Sequence, residues 1–345
     1  MPAVSQGFIL RVAEWTQSRM KKLIKTALGR FVIRVAMQFP RTRRPLRPAG
    51  LRCSQGLFGN RIVSIPFDRG RALRLTNLDE SYLAFQLFWR GFQYYEPITR
   101  LLLIELLHPG ATFLDIGAHH GFFSLTTSLL VDGLPVIAFE PNPSNFRILQ
   151  ANAIANECTN LRCEPFAISD CDGTATLHLT ASDMSASLMK GFQAHDTEQI
   201  GSVEVRTTTL DNYVRLNQLG RPMVIKVDIE GHEGAFMRGA METIRRCKPD
   251  IVLEVVEDQD PAWVADLKSL GYRFYPITDQ GLTETDAPRL IKRFPLLFLN
   301  HLISARPKEE LENIFERLEP QIRGINLLDS SKHFPKEQWP LLWKE

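Results

Sequence analysis

The chain has 345 residues, of which 44% are hydrophobic, 9% aromatic and 23% charged, and its formal net charge is +2. These values are ordinary for a globular protein and exclude a wholly disordered chain and a fibrous one. The length suits one elaborated domain or one domain with an appendage, and we favour the second. Five scattered cysteines without a Cys-x-x-Cys pair favour reduced thiols, and the sequence therefore predicts a cytoplasmic protein.

Positive charge is concentrated at the N-terminus. Residues 1–52 hold twelve of the 41 lysines and arginines but one of the 39 acidic residues, so this segment carries net +11 and the remainder −9. Apolar residues recur every three to four positions from Met20 to Phe39, which predicts a basic amphipathic helix followed by a Pro-rich linker that ends near residue 50. Two interpretations stay open: peripheral contact of residues 19–48 with an anionic membrane, or an ordinary helix packed on the body.

The rest of the chain divides into three predicted segments: a lead-in (51–94), a main domain (95–300) and a helical C-terminal tail (301–345). In the main domain, short apolar strands alternate with helical patterns, which is typical of an α/β fold with a mostly parallel sheet and helices on both faces. Alternating apolar and polar residues within 173–209 predict an inserted hairpin. The strands are predicted at residues 113–116, 135–140, 161–168, 223–229, 251–256 and 272–276.

The first predicted strand ends in DIGAHHG, residues 115–121. Glycine lets the backbone turn sharply and lets a ligand approach closely, and in open α/β sheets a nucleotide-like ligand binds at this turn. We therefore expect Asp115, Gly117, His119 and Gly121 to contact a cofactor.

The next two strands end in residues suited to an adenosine group. Glu140 lies 23 residues after Gly117 and precedes Pro141, and a carboxylate at this position can accept hydrogen bonds from both ribose hydroxyls. The third strand ends in Ala167, Ile168 and Ser169, which we expect to recognise the adenine.

The first loop also distinguishes between adenosine cofactors. A dinucleotide site needs glycine at three positions of G-x-G-x-x-G, and His119 replaces the second. The carboxylate of Asp115 would repel a pyrophosphate, whereas it suits the ammonium and sulfonium groups of S-adenosylmethionine. These residues therefore favour S-adenosylmethionine over NAD.

The fourth strand and the residues after it, KVDIEGHE (226–233), form the densest cluster of ionisable groups in the chain. Strand alternation predicts that Lys226, Asp228 and Glu230 share one face, and a purely structural strand in a parallel sheet would be apolar. Asp228 and His232 are candidates for the general base, with Glu230 and Glu254 orienting the substrate or polarising the base. We assign no metal site, although a magnesium ion held by Asp228, Glu230 and Glu254 stays open.

Taken in order, the motifs DIGAHHG, FEPNP, AISDCDG, TLD, IKVDIEGHE and PDIVLEV resemble the FkbM family of methyltransferases. The resemblance covers about residues 94–256 and implies a class I, Rossmann-like methyltransferase fold. It also implies that Glu96 contacts the methionyl end of S-adenosylmethionine and that Asp228 borders the cofactor. His119 departs from the asparagine that the family commonly has, but a histidine can still donate to the cofactor.

The sequence thus predicts an O-methyltransferase that acts on a hydroxyl of a sugar, a glycan or lipid-linked glycan, or another natural product. The alternative is an RNA-directed methyltransferase, or a nucleic-acid-binding protein that uses the basic N-terminus. Base methyltransferases carry a short aromatic motif after the fourth strand to stack a flipped base. Here Ile229, Glu230 and Gly231 follow Asp228 instead, so nucleic acid is disfavoured as a partner.

Overall fold

A computed structural model describes residues 62–67, 70–78, 81–180, 186–188, 199–255, 261–293 and 296–325. The predicted N-terminal helix and its linker lie outside these residues. The described part falls into two compact units that divide between Tyr94 and Tyr95. Within it, every helix is too short or too polar to cross a membrane.

The first unit contains a small antiparallel hairpin and one helix. Strand β1 (Val63–Pro66) pairs with β2 (Ala72–Leu75), and helix α1 (Tyr82–Arg90) follows. A turn of 3-10 helix (Phe92–Tyr94) ends the unit. Ser81 caps α1, because its side chain accepts a hydrogen bond from the Ala84 amide at 3.1 Å.

The second unit alternates strands and helices, as the sequence predicts. Its elements in chain order are α2 (Pro97–Leu106), β3 (Thr112–Ile116), α3 (Phe122–Leu130), β4 (Val136–Phe139), α4 (Pro143–Ala155), β5 (Leu161–Glu164), β6 (Phe166–Ser169), β7 (Gly173–Thr180), β8 (Ala186–Ser187), β9 (Gln199–Thr209), α5 (Leu210–Leu216), β10 (Met223–Val227), α6 (Glu233–Cys247), β11 (Asp250–Glu254), α7 (Pro261–Ser269), β12 (Arg273–Pro276), β13 (Ile291–Arg293), β14 (Leu296–Phe298), β15 (Asn300–Ser304) and α8 (Lys308–Arg323).

Seven of these strands form the central sheet in the order β12-β15-β11-β10-β3-β4-β5. The pairs from β11 to β5 are parallel, and β15 runs antiparallel to both of its neighbours. A dinucleotide-binding Rossmann sheet has no such antiparallel strand between its fifth and sixth strands. This order is that of the class I methyltransferase fold, so the predicted fold class is confirmed.

The inserted segment forms a separate sheet in the order β6-β9-β7-β8. The hairpin predicted within residues 173–209 is present as the antiparallel pair β7 and β9. The prediction of one strand over residues 161–168 is wrong. Pro165 has no N–H to donate to a ladder, and the chain leaves the central sheet there, so β5 and β6 belong to different sheets.

The core lies between the central sheet and its helices. Strands β10 and β11 are buried along their whole lengths, as expected for strands covered on both faces. Helix α8 is held on α2 by an ion pair of 3.1 Å between Arg317 and Glu105. The sequence predicts that the main domain ends at residue 300. The central sheet continues past that residue, since β15 (Asn300–Ser304) is one of its inner strands.

Candidate active site

The turn after β3 brings the backbone of the first predicted loop against the end of β10. Gly117, His119 and Gly121 all have positive φ angles, of 81°, 51° and 89°. A Cβ atom on Gly117 would lie 1.9 Å from the carbonyl oxygen of Asp228. The Asp228 amide donates a 2.9 Å hydrogen bond to the Ile116 carbonyl. Glycine is therefore required at 117 both for the turn and for this close approach.

The Glu140 carboxylate is held in place by backbone amides. The His119 amide, in the turn after β3, donates to Oε2, and the Asn142 amide, two residues after Glu140, donates to Oε1. Both distances are 2.8 Å. Burial raises the pKa of Glu140 to about 7, although these two bonds act in the opposite direction. Each oxygen has further acceptor capacity, so the fixed carboxylate suits a ligand with two neighbouring hydroxyls.

Asp115 ties β3 to the start of α3. Its Oδ2 accepts hydrogen bonds from the Ser124 amide, at 3.0 Å, and from the Ser124 hydroxyl. Burial raises the pKa of Asp115 to about 6, while the bonds from Ser124 and the charge of Lys226 oppose the rise. The structure therefore places the buried carboxyl group of Asp115 on β3, two residues before Gly117 of the glycine turn.

At the end of β6 the structure joins the predicted adenine-side residues to His232. Ala167 and Ile168 are buried, and Ser169 Oγ lies 2.9 Å from His232 Nε2. Ser169 also donates to Asp170, whose carboxylate forms a 2.8 Å ion pair with Arg238. Burial lowers the pKa of His232, which keeps the imidazole neutral near pH 7. His232 thus lies beside the candidate adenine site.

The other ionisable residues gather where β10 and β11 end. The Lys226 side chain is fully buried, and its Nζ lies 3.4 Å from Asp228 Oδ2 and 4.0 Å from Glu254 Oε2. Glu96, Asp228 and Glu254 each bring a carboxylate oxygen within 4.8 Å of the others. We call these three residues the carboxylate cluster. Its arrangement attracts positive charge, and Lys226 supplies one.

Glu96 reaches the carboxylate cluster from the residue before α2. It has a left-handed backbone with φ of 38°, and its Oε2 accepts a 2.8 Å hydrogen bond from Asn300 Nδ2. Asn300 is buried on β15, where it pairs in register with Glu254. The sequence analysis missed Asn300, since it belongs to no motif and its partner lies 204 residues away.

Glu230 is placed differently from the prediction. Strand β10 ends at Val227, so the alternation expected through residue 229 does not extend to Glu230, which has a left-handed φ of 51°. Its carbonyl accepts a 2.7 Å hydrogen bond from the Ser187 hydroxyl on β8. The acid that joins Asp228 and Glu254 within 4.8 Å is Glu96, whereas the sequence analysis groups Glu230 with them.

The predicted site residues thus surround the carboxyl ends of β3, β4, β10 and β11. In parallel strands these ends share one edge of the sheet, where open α/β folds bind their ligands. The Asp228 backbone contacts the glycine turn, and its side chain belongs to the carboxylate cluster, so Asp228 joins these two parts of the site. The individual roles of these residues stay predictions.

Three comparisons with known proteins bear on this site. Residues 115–274 match the family model of the methyltransferase FkbM domain. The hexuronic acid methyltransferase AglP of Haloferax volcanii is 27% identical over 174 residues, which are 50% of this chain and 67% of that protein. The 31-O-demethyl-FK506 methyltransferase FkbM of Streptomyces tacrolimicus is 37% identical over 86 residues, 25% of this chain and 32% of that one.

A solved structure is similar as well. The crystal structure of methyltransferase FkbM from Methylobacillus flagellatus aligns with a TM-score of 0.36 and 15% identity, over 64% of this chain and 50% of that one. The family model covers the residues that carry the glycine turn, Glu140 and the KVDIEGHE segment. Residues 115–274 thus match the methyltransferase FkbM domain, and the chain is similar over part of its length to two curated methyltransferases.

Proposed function

We propose that this protein uses S-adenosylmethionine to methylate a hydroxyl group of a sugar, a glycan or another natural product. The observation that carries the proposal is the Glu140 carboxylate, which two backbone amides hold beside a glycine turn. Its position suits the two hydroxyls of a ribose, and Asp115 offers negative charge to the ammonium of a methionyl group. The two relatives, named for a hexuronic acid and for a natural product, support this acceptor class.

The residues that would hold the cofactor fit its chemistry. Gly117 and Gly121 permit the left-handed turn after β3, Glu140 accepts hydrogen bonds, and Ser169 offers a hydroxyl on the adenine side. When bound there, S-adenosylmethionine supplies a methyl group on a positively charged sulfur. Holding the acceptor oxygen near that group provides much of the rate enhancement, because positioning replaces a bimolecular encounter.

We assign the general base to Asp228. A neutral alcohol is a poor nucleophile near pH 7, so a positioned base contributes about a hundredfold or more. Asp228 lies where the glycine turn and the carboxylate cluster meet, and its side chain is 21% exposed, which leaves it accessible to an acceptor. His232, the other candidate, is hydrogen-bonded to Ser169 on the adenine side.

The charges favour a neutral acceptor over an anionic one. Glu96, Asp228 and Glu254 bring three carboxylate oxygens within 4.8 Å of one another, and the ammonium of Lys226 lies 3.4 Å from Asp228 and 4.0 Å from Glu254. An acceptor carboxylate, such as that of a uronic acid, would be repelled, whereas a hydroxyl would not. This argument favours an ether product over an ester.

The test is methyl transfer from labelled S-adenosylmethionine to matched pairs of neutral sugar glycosides and uronic acid glycosides. Label that survives mild alkali marks a methyl ether, and label released as methanol marks an ester. We expect alkali-stable label on neutral acceptors, and its loss in Asp228→Asn, which should still bind S-adenosylmethionine within a few-fold of the wild type. Transfer only to carboxyl groups or to RNA would contradict the proposal, and full activity of Asp228→Asn would remove Asp228 as the base.

A further inference from the structure

Lys226 is a buried ammonium in the middle of the central sheet. Its side chain has no exposed surface, and it pairs in register with Asp115 on β3 and with Val252 on β11. Inner strands of a parallel sheet are normally apolar, and removing an ammonium from water is costly unless opposite charge surrounds it. A methionine of similar length would avoid that cost, so the charge itself requires an explanation.

The surroundings of Lys226 show how its charge is shared. Its Nζ lies 3.4 Å from Asp228 and 4.0 Å from Glu254, distances longer than the ~2.8 Å of a charge-assisted hydrogen bond. Its charge also lowers the pKa of Asp115, against the larger effect of burial. The ring of Phe123 lies 5.4 Å from the ammonium, within range of a cation–π contact. The charge of the ammonium is therefore shared among Asp115 on β3, Asp228 just after β10, and Glu254 at the end of β11.

Asp228 is crowded by other acids. Glu96 approaches from α2, Asp115 from β3, Glu140 from the end of β4 and Glu254 from β11. After burial and hydrogen bonding, the charge of Asp228 contributes to the raised pKa values of both Asp115 and Glu140. Like charges at such distances favour protonation of one or more members, unless a cation compensates them.

We propose that Lys226 is a positioning residue, the shared cation that keeps Asp228 ionised and held at the acceptor side of the site. This inference rests on the proposed function, in which Asp228 accepts the proton of the acceptor hydroxyl. In that step the O–H bond breaks, the proton moves to a carboxylate oxygen of Asp228, and it later passes to solvent. If Asp228 bound a proton beforehand, it would enter the step unable to accept another.

The decisive variant is Lys226→Met, which removes the charge and retains most of the volume. We expect the acid limb of kcat/KM to move to higher pH by about one unit or more, so that kcat/KM falls about tenfold or more on that limb and approaches the wild-type value on the plateau at higher pH. Lys226→Arg keeps the charge, so the acid limb of its kcat/KM profile should stay at the pH of the wild type. An equal loss for Lys226→Met at every pH would overturn the proposal.

A second readout needs neither cofactor nor acceptor. Without Lys226 the folded protein should bind extra protons on the cluster, so its folded carboxyl groups hold protons at pH values where the unfolded chain has lost them. The stability deficit of Lys226→Met is then largest at high pH and shrinks as the pH falls. Thermal melting of both proteins between about pH 8 and pH 6 measures this. A deficit that does not change with pH indicates only lost packing and contradicts the proposal.

Glu254→Gln keeps the inference testable if Lys226→Met does not fold. It removes a like charge beside Asp228, so the acid limb of kcat/KM should move to lower pH, opposite to Lys226→Met. If the acid limb of Glu254→Gln stays at the pH of the wild type, the proposal that Lys226 is shared by Asp228 and Glu254 is contradicted.

Asp228→Asn separates the role of Asp228 as the base from the role of Lys226. If it is fully active, the proposed base is wrong, whereas if it is inactive and the other variants show no pH shift, only the role of Lys226 is wrong.

Discussion

The amide of His119 donates a 2.8 Å hydrogen bond to Oε2 of Glu140, which joins the turn after β3 to the end of β4. The bond also orients the carboxylate that we assign to the ribose. Burial raises the pKa of this carboxyl to about 7, so its charge state changes near physiological pH.

Cofactor affinity should therefore depend on pH. A protonated Glu140 cannot accept hydrogen bonds from both ribose hydroxyls, so binding requires loss of a proton when the pH is below about 7. We expect the Kd for S-adenosylmethionine to rise about tenfold between pH 8 and pH 6 in calorimetric titrations. Glu140→Gln should bind weakly and lose most of this dependence, with a residual change from Asp115 near pH 6. A wild-type Kd that is flat across this range would contradict the assignment.

Gly117→Ala should damage both stability and binding. The added Cβ would lie 1.9 Å from the Asp228 carbonyl oxygen, at a φ of +81° that alanine rarely adopts. We expect a loss of about 2 kcal/mol or more in unfolding free energy and no measurable cofactor binding. Gly220→Ala is the matched control, because it has open space and no positive φ, and it should behave like the wild type. Equal stability of the two variants would refute the close approach.

His232 and Asp228 should differ in which kinetic constant they affect. His232 Nε2 lies 2.9 Å from Ser169 Oγ, so His232→Ala should raise the KM for S-adenosylmethionine several-fold and leave kcat within a few-fold. Asp228→Asn should lower kcat and leave cofactor affinity nearly unchanged. Steady-state kinetics on both variants measure kcat and the KM for S-adenosylmethionine. If His232→Ala lowers kcat and Asp228→Asn raises only KM, His232 is the base.

Chelation should leave activity intact. We assign no metal ion to the carboxylate cluster, because the ammonium of Lys226 already lies 3.4 Å from Asp228 and 4.0 Å from Glu254. Protein dialysed against EDTA should methylate its acceptor at the rate of untreated protein. If activity is lost and magnesium restores it, the cluster holds a metal instead.

Arg306 should matter for folding and not for catalysis. It forms a 2.7 Å ion pair with the buried carboxylate of Asp250, at the start of β11 and away from the site. Arg306→Ala would leave Asp250 buried, with the hydroxyl of Ser304 at 2.6 Å as its remaining side-chain partner among the described residues. We expect a loss of about 2 kcal/mol in denaturant unfolding with unchanged kcat. Arg323→Ala, whose partner Glu319 is exposed, should cost less than about 0.5 kcal/mol. Similar losses for both variants would contradict this account.

Much of the fold could be predicted from the sequence, because the inner strands are short apolar runs that end in glycine or acid. Strand β15 could not, since three of its five residues, Asn300, His301 and Ser304, are polar. Their compensating partners are distant in sequence: Asn300 bonds Glu96, and Ser304 bonds Asp250. A hydrophobic period indicates burial only where the buried residues are apolar, and here Asn300 and Ser304 are buried with tertiary hydrogen bonds to Glu96 and Asp250.

The candidate site was predicted in part for a similar reason. Motif residues such as Glu140 and Asp228 stand at strand ends, where parallel topology brings them together. Asn300 and Ser187 reach the site from elements that follow no motif, and only the folded structure places them there. The end of β10 at Val227 also removes Glu230 from the face that alternation assigned to it.

The most direct test of the central claim is calorimetric titration of the wild type and Glu140→Ala with S-adenosylmethionine and with NAD. We predict micromolar binding of S-adenosylmethionine by the wild type, its loss in the folded variant, and no binding of NAD. Equal affinity of the two proteins for S-adenosylmethionine, or no binding by a folded wild type, would contradict the cofactor site at the end of β4.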